Sequence, residues 1–161
     1  MLFRSMGRKA ALGQASAEQV WEWTRQELGL SEPEGEQLIR DFWWGDDLDL
    51  ELVGYIRELR AQFQTGLISN AWSELRDQLV NYWQIDDAFD DLVISAEVGL
   101  AKPDPAIYHL ALERLEVQAE QSVFVDDFES NTSAAAELGM QAVLFGSPDQ
   151  AIAEVKQLIS G

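Results

Sequence analysis

Residues 123–127, Val123-Phe124-Val125-Asp126-Asp127, decide the fold, because a short apolar run here ends in two adjacent carboxylates. Three further apolar runs of similar length occur after residue 65: Gly66-Leu67-Ile68-Ser69, Leu92-Val93-Ile94-Ser95 and Ala142-Val143-Leu144-Phe145. Amphipathic segments predict helices between and after these runs, near 72–83, 104–116, 130–139 and 149–159. Short buried strands that alternate with helices are typical of βαβ crossovers and a parallel sheet. We therefore predict an α/β core over 63–161.

The chain before this core has helical patterning. Ser16 begins an S-x-x-Q capping box with Gln19, and Gly29 is suited to end that helix. A second helix is expected over about 33–43 and a third over about 50–64, from apolar residues at helical spacing. The sequence thus predicts a helical segment over 1–62.

Composition excludes some classes of function. The 161 residues carry a formal net charge of −18, which repels nucleic acid and anionic membranes. No apolar run approaches the ~20 residues that span a bilayer. The chain has no cysteine, so disulfides and thiolate metal sites are excluded, and a cytoplasmic location is expected.

Polar residues follow three of the apolar runs, and ligands of parallel sheets bind beyond the carboxyl ends of the strands. Ser69 and Asn70 can hold a phosphate oxygen, or act as turn and helix-cap residues. Lys102 precedes a proline in a loop and can neutralise a phosphate or crowded carboxylates, or simply be a surface lysine. Asp126 and Asp127 suit Mg2+, although a solvated helix start also favours aspartate.

In this order and context, the motifs resemble the haloacid dehalogenase (HAD) superfamily of hydrolases. The similarity covers residues 65–147 and rests on the segments Leu67-Ile68-Ser69-Asn70, 98–108, 123–131 and 134–140. It implies a Rossmannoid three-layer parallel sheet with a partial helical cap over the first third. It also implies that Ser69 binds the phosphoryl group, that Lys102 steadies nucleophile and substrate, and that the acids hold Mg2+. By this pattern Asp127 is the direct metal ligand, and Asp126 acts through water or orientation.

The chain departs from the family at its first motif, D-x-D-x-[TV], whose first Asp is the nucleophile. The segment Asp47-Leu48-Asp49-Leu50 has the D-x-D spacing, but it follows Trp43-Trp44-Gly45 and leads into a helix, so helix capping explains it. We expect the chain to start inside the cap and to lack the first, central strand, which lies between the strands ending at Ser69 and Asp127. The sheet then closes directly, pairs with another chain, or is completed by further sequence.

Other polar and aromatic residues are expected to have structural rather than functional roles. The pairs Asp86-Asp87 and Asp90-Asp91 are expected in solvated turns, and the single histidine, His109, on a helix surface. The tryptophans of the first third, Trp21, Trp23, Trp43 and Trp44, are expected in the core of the cap rather than against a substrate.

The resemblance implies a Mg2+-dependent phosphatase of small organic phosphomonoesters that works through an aspartyl-phosphate, with this chain inactive alone. A small phosphorylated metabolite is then the expected partner. The alternative is a non-catalytic remnant that binds phosphate or Mg2+, or a subunit completed by a second copy or by a strand from a partner. A phosphoacceptor receiver domain also uses an acid pair, Ser/Thr and Lys. The order Ser69, Lys102, Asp126-Asp127 excludes it, because a receiver carries its acid pair after the first strand.

Overall fold

A computed structural model describes residues 3–43 and 48–160. The α-helices in these ranges are α1 (Phe3–Ala11), α2 (Ala17–Glu27), α3 (Glu32–Trp43), α4 (Leu50–Arg60), α5 (Leu75–Asp77), α6 (Ser95–Val98), α7 (Pro105–Leu115), α8 (Glu129–Glu137) and α9 (Pro148–Ile159). The strands are β1 (Gly66–Ser69), β2 (Asp91–Ile94), β3 (Val123–Asp126) and β4 (Gln141–Leu144). A π-helical turn (Gln78–Tyr82) and two 3-10 turns (Asp86–Ala88 and Ala119–Gln121) complete the elements.

The strands form two parallel pairs with helices on both faces. In one pair Gly66 of β1 lies beside Asp91 of β2, and in the other Val123 of β3 lies beside Gln141 of β4. Helices α7 and α8 pack on one side, and α4 and α9 pack against each other, with α9 also covering β3 and β4. The predicted α/β fold with parallel strands between two helical layers is therefore confirmed.

Alternation along β2 explains why both faces are covered. Val93 points into an apolar cluster with α7, α8 and Phe124 of β3, whereas Leu92 and Ile94 join Val53 of α4 on the other side. Successive side chains of a strand face opposite ways, so a strand with three consecutive buried residues needs a helix layer on each side.

The two strand pairs are separate, as a sheet that lacks its first, central strand would be. Among the described residues β1 and β3 are not hydrogen-bonded to each other, so the sheet does not close directly. No strand among the described residues lies between them to join the pairs. The helical layers and one lysine side chain hold the two pairs together instead.

The helical region follows the predicted signals closely. Ser16 caps α2, with the Ser16 and Gln19 side chains each bonded to the other's backbone amide. Gly29 has a φ of +64° just beyond the end of α2, a conformation that glycine adopts without steric cost. Asp49 caps α4 by accepting a hydrogen bond from the Leu52 amide at 2.9 Å, which confirms the capping interpretation. Asp47 lies outside the described residues.

The predicted helix at 72–83 is wrong in its start and its type. Only residues 75–77 are α-helical, and the next turn is π-helical because the Trp83 amide bonds to the Gln78 carbonyl at 2.7 Å. Residues 70–72 form a loop instead, since their polar groups are bound to neighbouring segments rather than to a helix ladder. No helix within 3–43 or 48–160 has the length and apolar character needed to cross a bilayer.

Candidate phosphoryl-binding site

Lys102 links the two strand pairs. Its Nζ donates to the carbonyl oxygen of Ile68 in β1 at 2.7 Å and to Oδ2 of Asp126 in β3 at 2.6 Å. The Lys102 side chain is only 11% exposed and that of Asp126 4% exposed, so this is a buried, charge-assisted contact. An ammonium group has three N–H donors, and these two bonds leave one for a ligand.

The backbone of Lys102 is fixed by Asn70. The Asn70 side chain donates to the Lys102 carbonyl and accepts from the Lys102 amide, both at 2.8 Å. The Lys102–Pro103 peptide bond is cis. Because both polar groups of the Asn70 amide are bonded to Lys102, the structure gives Asn70 a positioning role. A direct contact of Asn70 with phosphate stays a prediction.

Ser69 ends β1 at the same edge. It is half-buried, and its hydroxyl makes no hydrogen bond with any residue that the structure describes. The loop after it is held by Ser95, a fully buried residue whose hydroxyl accepts from the Ala71 amide at 3.0 Å and donates to the Ala71 carbonyl at 3.2 Å. The Ser69 hydroxyl is thus available on a fixed loop.

Asp126 is saturated by protein donors. Besides Lys102, its Oδ1 accepts from the Phe128 amide at 2.9 Å and from Nδ2 of Asn131 at 2.8 Å. Burial by itself raises the pKa of Asp126, but the bonds from Lys102, Phe128 and Asn131 outweigh burial and lower it below its usual value. Asp126 is therefore charged near neutrality and serves to hold Lys102.

A buried tyrosine supports this network from behind. The Tyr108 hydroxyl donates to the Asn131 carbonyl at 2.9 Å, and its ring packs edge-on against Phe124 at 5.2 Å. Burial, and then the charge of Asp126, raises the pKa of Tyr108 to about 12. Tyr108 is thus a neutral donor that fixes Asn131, which in turn orients Asp126.

The Asp127 carboxylate is the group of the site that could bind a metal ion. Its carboxylate is exposed and makes no hydrogen bond or ion pair with the residues that the structure describes. Mg2+ usually keeps several waters and takes one or two carboxylates plus phosphate oxygens. No group of three or more His, Cys, Asp or Glu side chains suited to a metal occurs in the described part of the chain. Asp127 could hold Mg2+ as one ligand among waters and phosphate, and this role stays a prediction.

Sequence reasoning missed three supporting residues: Ser95, Tyr108 and Asn131. All three lie within or beside the motifs, but a pattern gives no partner for them. The available signals were a serine at the end of an apolar run, a tyrosine on an apolar helix face whose hydroxyl needs a partner, and an amide one turn after the acid pair.

Two of the carboxylates near β2, Asp87 and Asp90, are exposed in turns as predicted, although they pair with arginines. Asp91 is the exception, because it is half-buried at the start of β2. Asp87 pairs with Arg57 at 2.7 Å, Asp90 with Arg60 at 2.8 Å, and Asp91 with Arg114 at 3.6 Å. The arginines project from α4 and α7, which pack close to β2. His109 is exposed on α7, as predicted.

A sequence profile of the haloacid dehalogenase-like hydrolases matches residues 4–139. Among curated proteins, bifunctional epoxide hydrolase 2 of Mus musculus is 33% identical over 100 residues, which is 60% of this chain and 18% of that protein. D-ribitol-5-phosphate phosphatase of Bacteroides thetaiotaomicron is 29% identical over 107 residues, or 62% of this chain and 52% of the relative. The chain thus spans about half the length of this phosphatase and less of the epoxide hydrolase.

Among solved structures, a HAD family enzyme from Bacteroides thetaiotaomicron in complex with magnesium and inorganic phosphate superposes with a TM-score of 0.71. It is 20% identical, and the match covers 88% of this chain and 81% of that one. At this level of identity the likeness concerns the fold.

Proposed function

The chain belongs to the haloacid dehalogenase-like hydrolases, and on that premise we propose that its site binds the phosphoryl group of a small organic phosphomonoester together with Mg2+. The observation that carries the proposal is the buried Lys102, held between β1 and β3 by Ile68 and Asp126. A lysine with one donor left over, between an available serine hydroxyl and an exposed carboxylate, is suited to a phosphate and its counter-ion.

Each residue has a distinct proposed role. The Ser69 hydroxyl donates to one phosphoryl oxygen, and the remaining N–H of Lys102 donates to another. Asp127 holds Mg2+, which when bound offsets the charge of the phosphoryl oxygens. Asp126 and Asn70 are positioning residues, since their polar atoms are committed to Lys102 and to the start of α8.

The relatives support a phosphatase-type chemistry. One is named for its action on D-ribitol 5-phosphate, and a structural neighbour was crystallised with magnesium and inorganic phosphate. We also propose that residues 1–62 form a partial cap and return helix and that residues 63–161 form the core.

None of the residues assigned above is a nucleophile. In the family's pattern it is the first Asp of D-x-D, and the one D-x-D in this sequence has its second Asp, Asp49, capping α4. We therefore propose that this chain alone binds phosphate without turning over esters.

Calorimetry with inorganic phosphate tests the binding site. We expect binding in the presence of Mg2+ and at least a tenfold loss of affinity in Asp127→Asn. Asp149→Asn, which removes an exposed carboxylate at the start of α9, is the matched control and should bind as the parent does. Absence of phosphate binding with Mg2+ in the parent chain would rule out the proposal.

A second candidate is a subunit completed by a strand from a partner or a second copy. It is favoured by β1 and β3, which are not hydrogen-bonded to each other in the described part of the chain. Unpaired strand edges are ready sites for another strand. Light scattering then gives a mass above one chain for completion by a second copy, and p-nitrophenyl phosphate with Mg2+ is hydrolysed only by an assembly whose partner strand supplies the nucleophile. A monomer that turns over this ester at full rate contradicts both the completion and the missing nucleophile.

A further inference from the structure

Three aromatic rings from three segments meet, and one of them, Trp72, follows Ser69 closely along the chain. Trp21 of α2 lies 5.1 Å from Phe42 of α3 and 5.6 Å from Trp72, measured between ring centroids, and the Phe42 and Trp72 rings are parallel at 6.5 Å. We call these three residues the aromatic cluster. Both tryptophans are only half-buried, so their rings keep apolar surface open to solvent. Phe42 is 51% exposed.

The aromatic cluster is close to the phosphoryl site along the chain. Trp72 comes three residues after Ser69, and three residues span at most about 11 Å between Cα atoms. The segment between them is fixed at two points, by the Asn70 bonds to Lys102 and by the Ala71 bonds to Ser95. The loop that joins Ser69 to Trp72 is therefore held in place by other segments.

The charges around the aromatic cluster do not favour a second anionic group on the ligand. The arginines of α2, α3 and α5 are already engaged: Arg25 with Glu22, Arg40 with Glu36, and Arg76 with Glu97. The cleft beside Trp21 is lined by four glutamates, Glu18, Glu22, Glu32 and Glu36. A nucleotide or a diphosphate would bring more negative charge toward these groups.

We propose that the aromatic cluster binds the organic group of the phosphomonoester, and that this group is neutral and apolar, an aryl or alkyl alcohol rather than a polyol. The inference rests on the proposed function, because it places a leaving group next to the phosphoryl site. Stacked or edge-on rings gain from a further apolar partner, whereas a polyol's hydroxyls would lose water there without gaining donors or acceptors.

Competitive binding with Mg2+ present tests the substrate class. The probes are inorganic phosphate, phenyl phosphate and D-ribitol 5-phosphate, each titrated into the chain by calorimetry. We expect phenyl phosphate to bind about tenfold more tightly than D-ribitol 5-phosphate, consistent with one aromatic contact. Trp72→Ala should remove this preference while the affinity for inorganic phosphate stays within twofold, and Trp72→Phe should restore part of it.

Tyr82→Ala is the matched control, because Tyr82 is an exposed ring outside the aromatic cluster. It should keep the preference for phenyl phosphate. If inorganic phosphate binds but the two esters bind equally, or the polyol ester binds more tightly, the apolar leaving group is excluded and the proposed function stands. If none of the three phosphates binds, the proposed function itself fails. A purely structural aromatic cluster would lower the melting temperature of Trp72→Ala without changing the ratio of the ester affinities.

Discussion

Among single residues, Lys102 is the one on which the proposed site depends most. Its ammonium group lies between a strand carbonyl and a carboxylate that has no other cation within the described residues. Removing one partner of a buried ion pair leaves the other charge in a medium of low dielectric, which costs more than the pair contributes. The same contacts that prepare Lys102 for a ligand therefore make it necessary for stability.

We expect Lys102→Met to lower the free energy of unfolding by about 3 kcal/mol, because Asp126 is left charged and buried. Urea denaturation followed by circular dichroism measures this. The double variant Lys102→Met/Asp126→Asn should lose less than the two single variants together, since the uncompensated charge is gone.

Lys9→Met on the exposed face of α1 is the control and should change stability by less than about 0.5 kcal/mol. Strict additivity of Lys102→Met and Asp126→Asn would mean that the two groups do not interact, and would contradict the contact.

The sequence predicted where the site residues lie but not which residues they contact. Strand ends placed Ser69, Lys102, Asp126 and Asp127 at one edge, because parallel strands share the direction of their carboxyl ends. Which acid is saturated and which is exposed depends on three-dimensional neighbours such as Asn131 and Tyr108. No spacing in the sequence encodes those contacts. The family resemblance already distinguishes Asp126 from Asp127, and the structure adds the partners that hold Asp126.

At the scale of elements, α4 is joined to the start of β2 by charge. Arg57 and Arg60 reach Asp87 and Asp90, and Asp90 also accepts a hydrogen bond from the Thr65 amide at 2.9 Å, just before β1. One carboxylate thus connects a helix to the beginnings of two neighbouring strands. The sequence predicted these elements and the exposure of Asp87 and Asp90, but not their ion pairs, because a helical pattern does not reveal which element its arginines face.

The Asp90 contacts predict a pH dependence. The bond from the Thr65 amide, and then the bond from Arg60, lowers the pKa of Asp90 below its ordinary value of 3.8. A lowered pKa in the folded state gives stability that is present above pH 3.8 and is lost as the pH falls through the lower, folded-state pKa. Asp90→Asn should therefore be less stable than the parent at pH 7, by about 0.5 kcal/mol because the pair is exposed.

Urea midpoints of the parent and Asp90→Asn from pH 7 to pH 2.5 check this. The difference in urea midpoint between the two proteins should narrow as the pH falls below 3.8. Asp86→Asn, in the same 3-10 turn as Asp87, is the control and should follow the parent throughout. A gap that stays constant across this range would contradict the role given to Asp90.

At the scale of the whole molecule, the formal charge of −18 opposes compactness. The chain has 29 acidic and 11 basic residues, so repulsion remains after the observed ion pairs are formed. Salt screens charges on a scale of about 10 Å at 0.1 M, which reduces this repulsion. The same charge disfavours nucleic acid as a ligand and makes a locally bound cation favourable.

We expect the melting temperature to rise by about 3 °C between 20 mM and 500 mM sodium chloride, which corresponds to about 1 kcal/mol for a chain of this size. Differential scanning calorimetry measures the change. Potassium chloride should give the same rise, since screening does not depend on the cation. A melting temperature that falls with salt would show that the surface ion pairs outweigh the net repulsion.

The fold was predictable because four apolar runs with helices between them admit few arrangements. The separation into two strand pairs was not fully predictable, since strand pairing is a property of the whole molecule. Strand pairing depends on what lies between β1 and β3. The apolar pattern of each strand is the same whether the two pairs are joined in one sheet or separate.

A crystal structure of this chain grown with Mg2+ and inorganic phosphate shows directly whether Ser69, Lys102 and Asp127 bind these ligands. We predict a phosphate within hydrogen-bond distance of the Ser69 hydroxyl and of Lys102 Nζ, and a magnesium ion coordinated by Asp127 and that phosphate. Lys102 should keep its contacts with Ile68 and Asp126. Phosphate bound elsewhere, or this edge of the strands without any anion at saturating phosphate, would contradict the account.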